Sequence, residues 1–114
     1  MRSNKYNAKP SNGFPSKLES AVYDILRIRE NAKEIKDIRR QHAVKLTDAQ
    51  IGYKVDFSYT DIKSGQTVWA EAKGFETEAW LLKKRLWRFY GPGNLEIYKG
   101  SHLRPVLSET IVPK

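Results

Sequence analysis

The chain has no cysteine. That excludes disulfides, thiolate zinc sites and iron–sulfur clusters. Histidine is nearly as scarce: His42 and His102 lie far apart, so a histidine metal centre is not expected either. Any metal has to be held by carboxylates, a ligand chemistry that suits Mg²⁺ or Mn²⁺. No apolar run approaches the roughly 20 residues that span a bilayer. The N-terminal stretch also lacks the apolar segment of a signal peptide. The sequence therefore predicts no membrane partner and a cytoplasmic location.

Negative charge is in short supply too. Lys and Arg number 21 against 13 Asp and Glu, for a formal net charge of +8. The isoelectric point is about 9.8. Such a chain is drawn to polyanions, and without a membrane segment nucleic acid is the expected partner. A length of 114 residues with 39% hydrophobic residues suits one globular domain with a modest core.

Residues 1–13 are polar and carry Arg2, Lys5 and Lys9. They read as a flexible basic arm, free as a tail or held on phosphate. A single domain is expected over 14–114. Ser16 fits an N-cap, and Leu18, Val22, Ile25 and Leu26 recur at helical spacing to about Arg29. Ile35 to Leu46 reads as extended, with imperfect alternation, and Thr47 to Gly52 as a turn. Tyr53 to Asp61 alternates, which predicts Tyr53, Val55, Phe57 and Tyr59 on one strand face. Lys63-Ser64-Gly65-Gln66 is a hairpin loop by composition. On the returning strand, Val68, Ala70 and Ala72 share one face, and Trp69, Glu71 and Lys73 the other.

Thr77 can cap a second helix that Gly91-Pro92-Gly93 stops. Its apolar stripe is expected to be Ala79, Leu82, Leu86, Phe89 and Tyr90. Leu95 to Tyr98 is a short strand, and Leu103–Ile111 has no settled reading. The order helix, strand, strand, strand, helix, strand predicts an α/β or α+β fold around a mixed sheet.

The hairpin carries the chemistry. Asp56 lies on the polar face of one strand, and Glu71 and Lys73 lie on one face of the next. Pairing through the loop near Ser64 would bring the carboxylates together. Their mutual repulsion is relieved by a divalent cation, with the Ala72 carbonyl as a further oxygen. Lys73 would orient water or neutralise charge in a phosphoryl transition state. Glu19 adds a carboxylate from the first helix. It has a competing role, since Ser16-x-x-Glu19 is also a capping box. Glu71 and Lys73 could equally be an ordinary surface ion pair. Gln41 could hold a water or phosphate, or be a plain edge-strand residue. Lys83, Lys84 and Arg88 on the second helix read as a phosphate-tracking surface or as a solvated face. Arg39, Arg40 and Lys45 are further candidates for nucleic-acid contact. His42 has no nucleophile or metal partner in the pattern.

Asp56 followed by Glu71-Ala72-Lys73 resembles the PD-(D/E)XK signature of restriction-endonuclease-like nucleases, with Val55 in the proline position. A glutamate on the leading helix, as at Glu19, is also a feature of that superfamily. A closer resemblance spans residues 4–100. It rests on Asn4-Lys5-Tyr6, Ser16-Lys17-Leu18-Glu19, Glu34-Ile35, Tyr53 to Phe57 and Ala72-Lys73-Gly74. These segments are similar to a phage-encoded nuclease family of unassigned function. The spacing of the four charged residues is also similar to the phage endonuclease I family of Holliday-junction resolvases.

The resemblance implies a restriction-endonuclease-like core, a mixed central sheet flanked by helices. It also implies Mg²⁺-dependent cleavage of DNA, branched DNA included, in the cytoplasm of a bacterial host. Glu19, Asp56 and Glu71 would bind the metal, and Lys73 would complete the catalytic set. A homodimer would let two sites cut two strands, as resolvases do. The competing expectations are a non-catalytic nucleic-acid-binding accessory module for recombination or packaging, and an RNA-directed nuclease of the same fold.

Overall fold

The computed structural model describes residues 13–114. The basic arm expected over 1–13 lies outside the described residues except for Gly13, as does the segment Asn4-Lys5-Tyr6. Two helices and five strands follow in the order α1 (Lys17–Asn31), β1 (Ile35–Lys45), β2 (Gly52–Asp61), β3 (Thr67–Ala72), α2 (Glu78–Tyr90), β4 (Leu95–Ser101) and β5 (Arg104–Ile111). The strands form one sheet in sequence order. Neighbours are antiparallel except β3 and β4, which run parallel with α2 as their crossover. The fold is α+β with a mixed sheet, as expected. No helix among the described residues is long and apolar enough to cross a membrane.

Local chemistry sets the boundaries. The Ser16 hydroxyl accepts the Glu19 amide at 3.1 Å and starts α1. The Thr77 hydroxyl accepts the Trp80 amide at 3.1 Å and starts α2. Gly91 caps the end of α2 in an extended conformation, and no larger residue fits there, since a Cβ would fall 2.5 Å from the Trp87 indole nitrogen. The β2–β3 turn closes through the Gly65 amide on the Asp61 carbonyl at 2.7 Å, with Gly65 at φ +74.

The two helices cover opposite faces of the sheet. Val22 and Leu26 of α1 pack with Phe14, Ile35, Phe57, Tyr59, Ala70 and Tyr98. Trp80 and Trp87 of α2 pack with Val44, Leu46, Val55, Trp69, Leu95, Ile97 and Ile111. Trp69 and Ala70 are consecutive and point to opposite clusters, as strand pleating requires.

Three expectations are corrected. First, α2 is turned about its axis. Trp80 and Trp87 are buried, while Leu82, Phe89 and Tyr90 of the expected core stripe are exposed. The indoles offer more apolar area than the leucines, and Trp87 adds a hydrogen bond from Nε1 to the Gly93 carbonyl at 2.8 Å. Second, Tyr53, Val55, Phe57 and Tyr59 do not share a face. Tyr53 and Val55 join the α2 side, whereas Phe57 and Tyr59 join the α1 side. The changeover falls at Asp56. Level with it on β1, between the pairs Arg40–Phe57 and His42–Val55, Gln41 adopts φ +54. A left-handed residue interrupts the pleat, so the hairpin turns over at that point. Third, the unsettled Leu103–Ile111 segment holds β5 from Arg104 on, paired to β4 from Ser101–Arg104 to Leu95–Ile111.

Candidate active site

The changeover at Asp56 gathers the charged residues. Ladder pairing between β2 and β3 runs from Thr60–Thr67 to Phe57–Ala70 and stops there. Beyond it the strands part, and side chains take over the backbone's hydrogen bonds. The Asp56 amide donates to Glu71 Oε1 at 3.0 Å. The Ala72 amide donates to Asp56 Oδ2 at 2.9 Å. On the other side of Ala72, the Lys73 amide bonds to the Tyr98 carbonyl at 2.8 Å and keeps β3 tied to β4. In an extended strand a residue's N–H and C=O point to the same neighbour, so the Ala72 carbonyl is also turned toward β2.

Glu19 reaches the same point from α1. Its amide is capped by Ser16, but its carboxylate turns away from the cap and accepts Gln41 Nε2 at 3.1 Å. Of the expected capping box the Ser16 half forms, while the Glu19 carboxylate is engaged by Gln41. Gln41, in its left-handed conformation, links α1 to the centre of the β1–β2 hairpin. Lys73 Nζ lies 3.5 Å from Glu71 Oε2 and 4.8 Å from the Trp80 ring centre.

Glu19 and Glu71 are each 4% exposed, and Asp56 is half-buried. Burial, reinforced by the charge of Asp56, pushes the Glu19 and Glu71 carboxyls up to about 7. Burial also raises Asp56, against the pull of the Ala72 amide and Lys73. Tyr53, absent from the sequence-based candidates, belongs to this neighbourhood. Its hydroxyl is buried without a hydrogen-bond partner. Burial and then the negative charge of Glu71 push it above the usual phenol range. Its alternation with Val55 marked it as core, and nothing in the sequence pointed it at Glu71.

The site thus holds three carboxyl groups against one close lysine. The excess of sequestered negative charge fits a cation, and oxygen donors fit Mg²⁺ or Mn²⁺. Among the described residues, however, no three metal-capable side chains stand ready-grouped around one point. Two of the carboxylate oxygens are occupied by backbone amides.

The expected nucleic-acid contacts divide. Arg39 and Arg40 are exposed on β1, an edge strand. Arg40 lies over the Phe14 ring, with its guanidinium carbon 3.7 Å from the ring centre, and donates to the Gly13 carbonyl at 2.9 Å. Its charge helps lower the Glu19 carboxyl. Arg88 is exposed in the last turn of α2. Lys83 and Lys84 are spent inside the fold. Lys83 donates to the Gly52 carbonyl, and Lys84 pairs with Glu109 at 2.6 Å. His42 is structural, with Nδ1 2.7 Å from the Ser58 hydroxyl and its ring beside Trp69. No protein-family model, curated protein or solved structure matches this chain.

Proposed function

We propose that the chain is a divalent-metal-dependent nuclease of the PD-(D/E)XK type, hydrolysing phosphodiester bonds in DNA. One observation carries the reading: where β2 and β3 part, the Asp56 amide donates to Glu71 Oε1 and its carboxylate accepts the Ala72 amide, with Lys73 3.5 Å from Glu71 and the buried Glu19 carboxyl within reach of the Asp56 charge. Three sequestered carboxyls with one lysine are an unstable arrangement without a cation and a serviceable one with it.

Glu19, Asp56 and Glu71, with the Ala72 carbonyl, would hold Mg²⁺ or Mn²⁺. Bound there, the ion supplies Lewis-acid activation of water and neutralises phosphate charge. Lys73 sets a positive charge beside Glu71, where it can orient the attacking water or offset charge developing on phosphoryl oxygen. Gln41 fixes the Glu19 carboxylate. Arg39 and Arg40 on the open edge of β1, with Arg88, would hold the backbone, giving binding that weakens steeply with salt. So small a surface favours structure-selective or weakly sequence-specific cleavage, with branched DNA among the substrates, in a cytoplasmic setting.

A second reading has its own support. The carboxylate oxygens of Asp56 and Glu71 already serve as backbone acceptors, which a non-catalytic nucleic-acid-binding module could use as a structural clasp. Cleavage of labelled linear duplex, single-stranded and four-way-junction DNA, with Mg²⁺ or Mn²⁺ and with EDTA, separates the two. Cutting that needs metal and is lost in Asp56→Ala and Lys73→Ala establishes the nuclease. Binding without cutting on every substrate establishes the module.

A further inference from the structure

A buried polar group is costly unless it is bonded, so an unbonded one asks for a reason. The Tyr53 hydroxyl is buried and has no partner among the described residues. Its ring has no room to swing in search of one. The Trp80 ring lies 5.8 Å from it, centre to centre, and Trp87 meets it edge-on at 6.2 Å. Lys83 Nζ sits 5.7 Å from the ring centre while donating to the carbonyl of Gly52, the residue before it. The backbone is held by β1, where Val44 pairs with Tyr53. The hydroxyl is thus kept at a fixed place in the fold, and that place is beside the carboxylates.

Glu71 has the complementary need. Its Oε1 accepts the Asp56 amide at 3.0 Å, while Lys73 Nζ stands 3.5 Å from its Oε2. A charge-assisted bond of that kind is shorter, about 2.7–2.9 Å, so Oε2 is loosely held. The looseness matters because the residue is buried. Trp80 brings the two together, since its ring packs on Tyr53 and lies 4.8 Å from Lys73 Nζ. The Glu71 charge is also felt at the phenol, second to burial in pushing it above the usual range. A donor without an acceptor therefore stands beside an acceptor without a close donor.

We infer that Tyr53 is a positioning residue for Glu71: its hydroxyl donates to the Glu71 carboxylate when a divalent cation is bound and keeps that carboxylate turned to the ion. The inference rests on the metal reading of the site proposed above. A carboxylate that gives an oxygen to a metal is oriented by hydrogen bonds to its remaining lone pairs. Removing such an outer partner costs about 10–100-fold in metal affinity. A phenol suits the task because it donates a proton without adding a positive charge to oppose the ion.

The test is Tyr53→Phe in the full chain, which deletes the oxygen and keeps the ring. An unbonded buried hydroxyl contributes nothing that phenylalanine loses, so in EDTA the variant should melt at or above the parent temperature. In isothermal titration calorimetry with Mn²⁺ alone, the parent should bind, and the variant should bind about tenfold or more weakly. Ultraviolet resonance Raman reports whether a phenol donates a hydrogen bond. Adding Mn²⁺ should convert a tyrosine to a donor in the parent and none in Tyr53→Phe, a change that packing alone does not produce. Equal Mn²⁺ affinity in parent and variant overturns the inference and leaves the metal site standing. A variant that melts below the parent in EDTA overturns it as well, because the hydroxyl is then bonded in the metal-free fold. A parent that binds no Mn²⁺ removes the metal reading, and this inference falls with it.

Discussion

Asp56 and Glu71 are joined where their strands part: the Asp56 amide donates to Glu71 Oε1 at 3.0 Å, and the Asp56 carboxylate accepts the next amide along, that of Ala72, at 2.9 Å. Each strand lends a side-chain oxygen to an amide that has lost its ladder partner. The carboxylates are thereby held in place by the backbone, with Glu71 buried and Asp56 half-buried, and the charge of Asp56 helps to raise the Glu19 carboxyl. Their position is fixed, and their charge is only partly compensated.

That imbalance makes stability depend on pH. Glu71 has an ordinary value of 4.5 and is pushed up to about 7 in the fold, burial being the main cause. The folded state therefore holds a proton that the unfolded chain has released. This contribution is fully present below pH 4.5 and is lost as pH rises through 7. Glu19 behaves in the same direction. Thermal unfolding of the metal-free protein should show Glu71→Gln gaining on the parent as pH rises from 5 to 8, by on the order of 1–3 kcal/mol. Parallel curves for the two proteins would show that Glu71 is not raised.

A divalent cation should reverse the penalty. At pH 8 with EDTA the protein should melt lower than with Mn²⁺ or Mg²⁺, and saturation at a hundredfold over the dissociation constant stabilises by about 2.7 kcal/mol. Glu19→Gln should shrink the shift, and Asp56→Asn should remove most of it. Differential scanning fluorimetry reads this without any substrate. An identical melting point with EDTA and with millimolar Mn²⁺ would count against a metal site.

Asp56→Asn also separates chemistry from structure. The amide oxygen can still accept the Ala72 N–H, so stability should stay within about 1 kcal/mol of the parent. Cleavage should fall by about 100-fold or more, with DNA affinity in EDTA unchanged. Lys73→Ala should follow the same pattern. A variant that loses binding along with cutting would place these residues in the binding surface instead.

How much of this was legible in the sequence differs by residue. The β2–β3 hairpin was readable because Val68, Ala70 and Ala72 alternate cleanly with Trp69, Glu71 and Lys73 around a glycine turn. The helix starts were readable from Ser16 and Thr77. The reversal of β2 at Asp56 was not, because it depends on the left-handed Gln41 on a different strand, and no local pattern announces it. The rotation of α2 was hidden for another reason. Five apolar residues at helical spacing outvote two tryptophans in a periodicity, although the tryptophans carry the larger buried area. β5 shows no two-residue alternation because Val106 and Leu107 are both exposed on an edge strand, while Leu103 lies in the turn before it.

The lysines of α2 provide the sharpest test of where nucleic acid sits. From sequence, Lys84 reads as a phosphate contact or as part of a solvated face. In the fold it pairs with Glu109 at 2.6 Å and lies 3.8 Å from Glu76, which itself accepts Lys99 at 3.0 Å. Arg40, by contrast, is exposed beside Gln41 at the mouth of the carboxylate cluster. Lys84→Ala should therefore destabilise the fold by up to about 1 kcal/mol and leave DNA affinity and its salt dependence in place. Arg40→Ala should weaken binding to all sequences alike and reduce the salt slope by about one. Titrations by fluorescence anisotropy at several salt concentrations compare the two directly. If Lys84→Ala lowers the slope and Arg40→Ala does not, the nucleic acid runs along α2 and not along the open edge of β1.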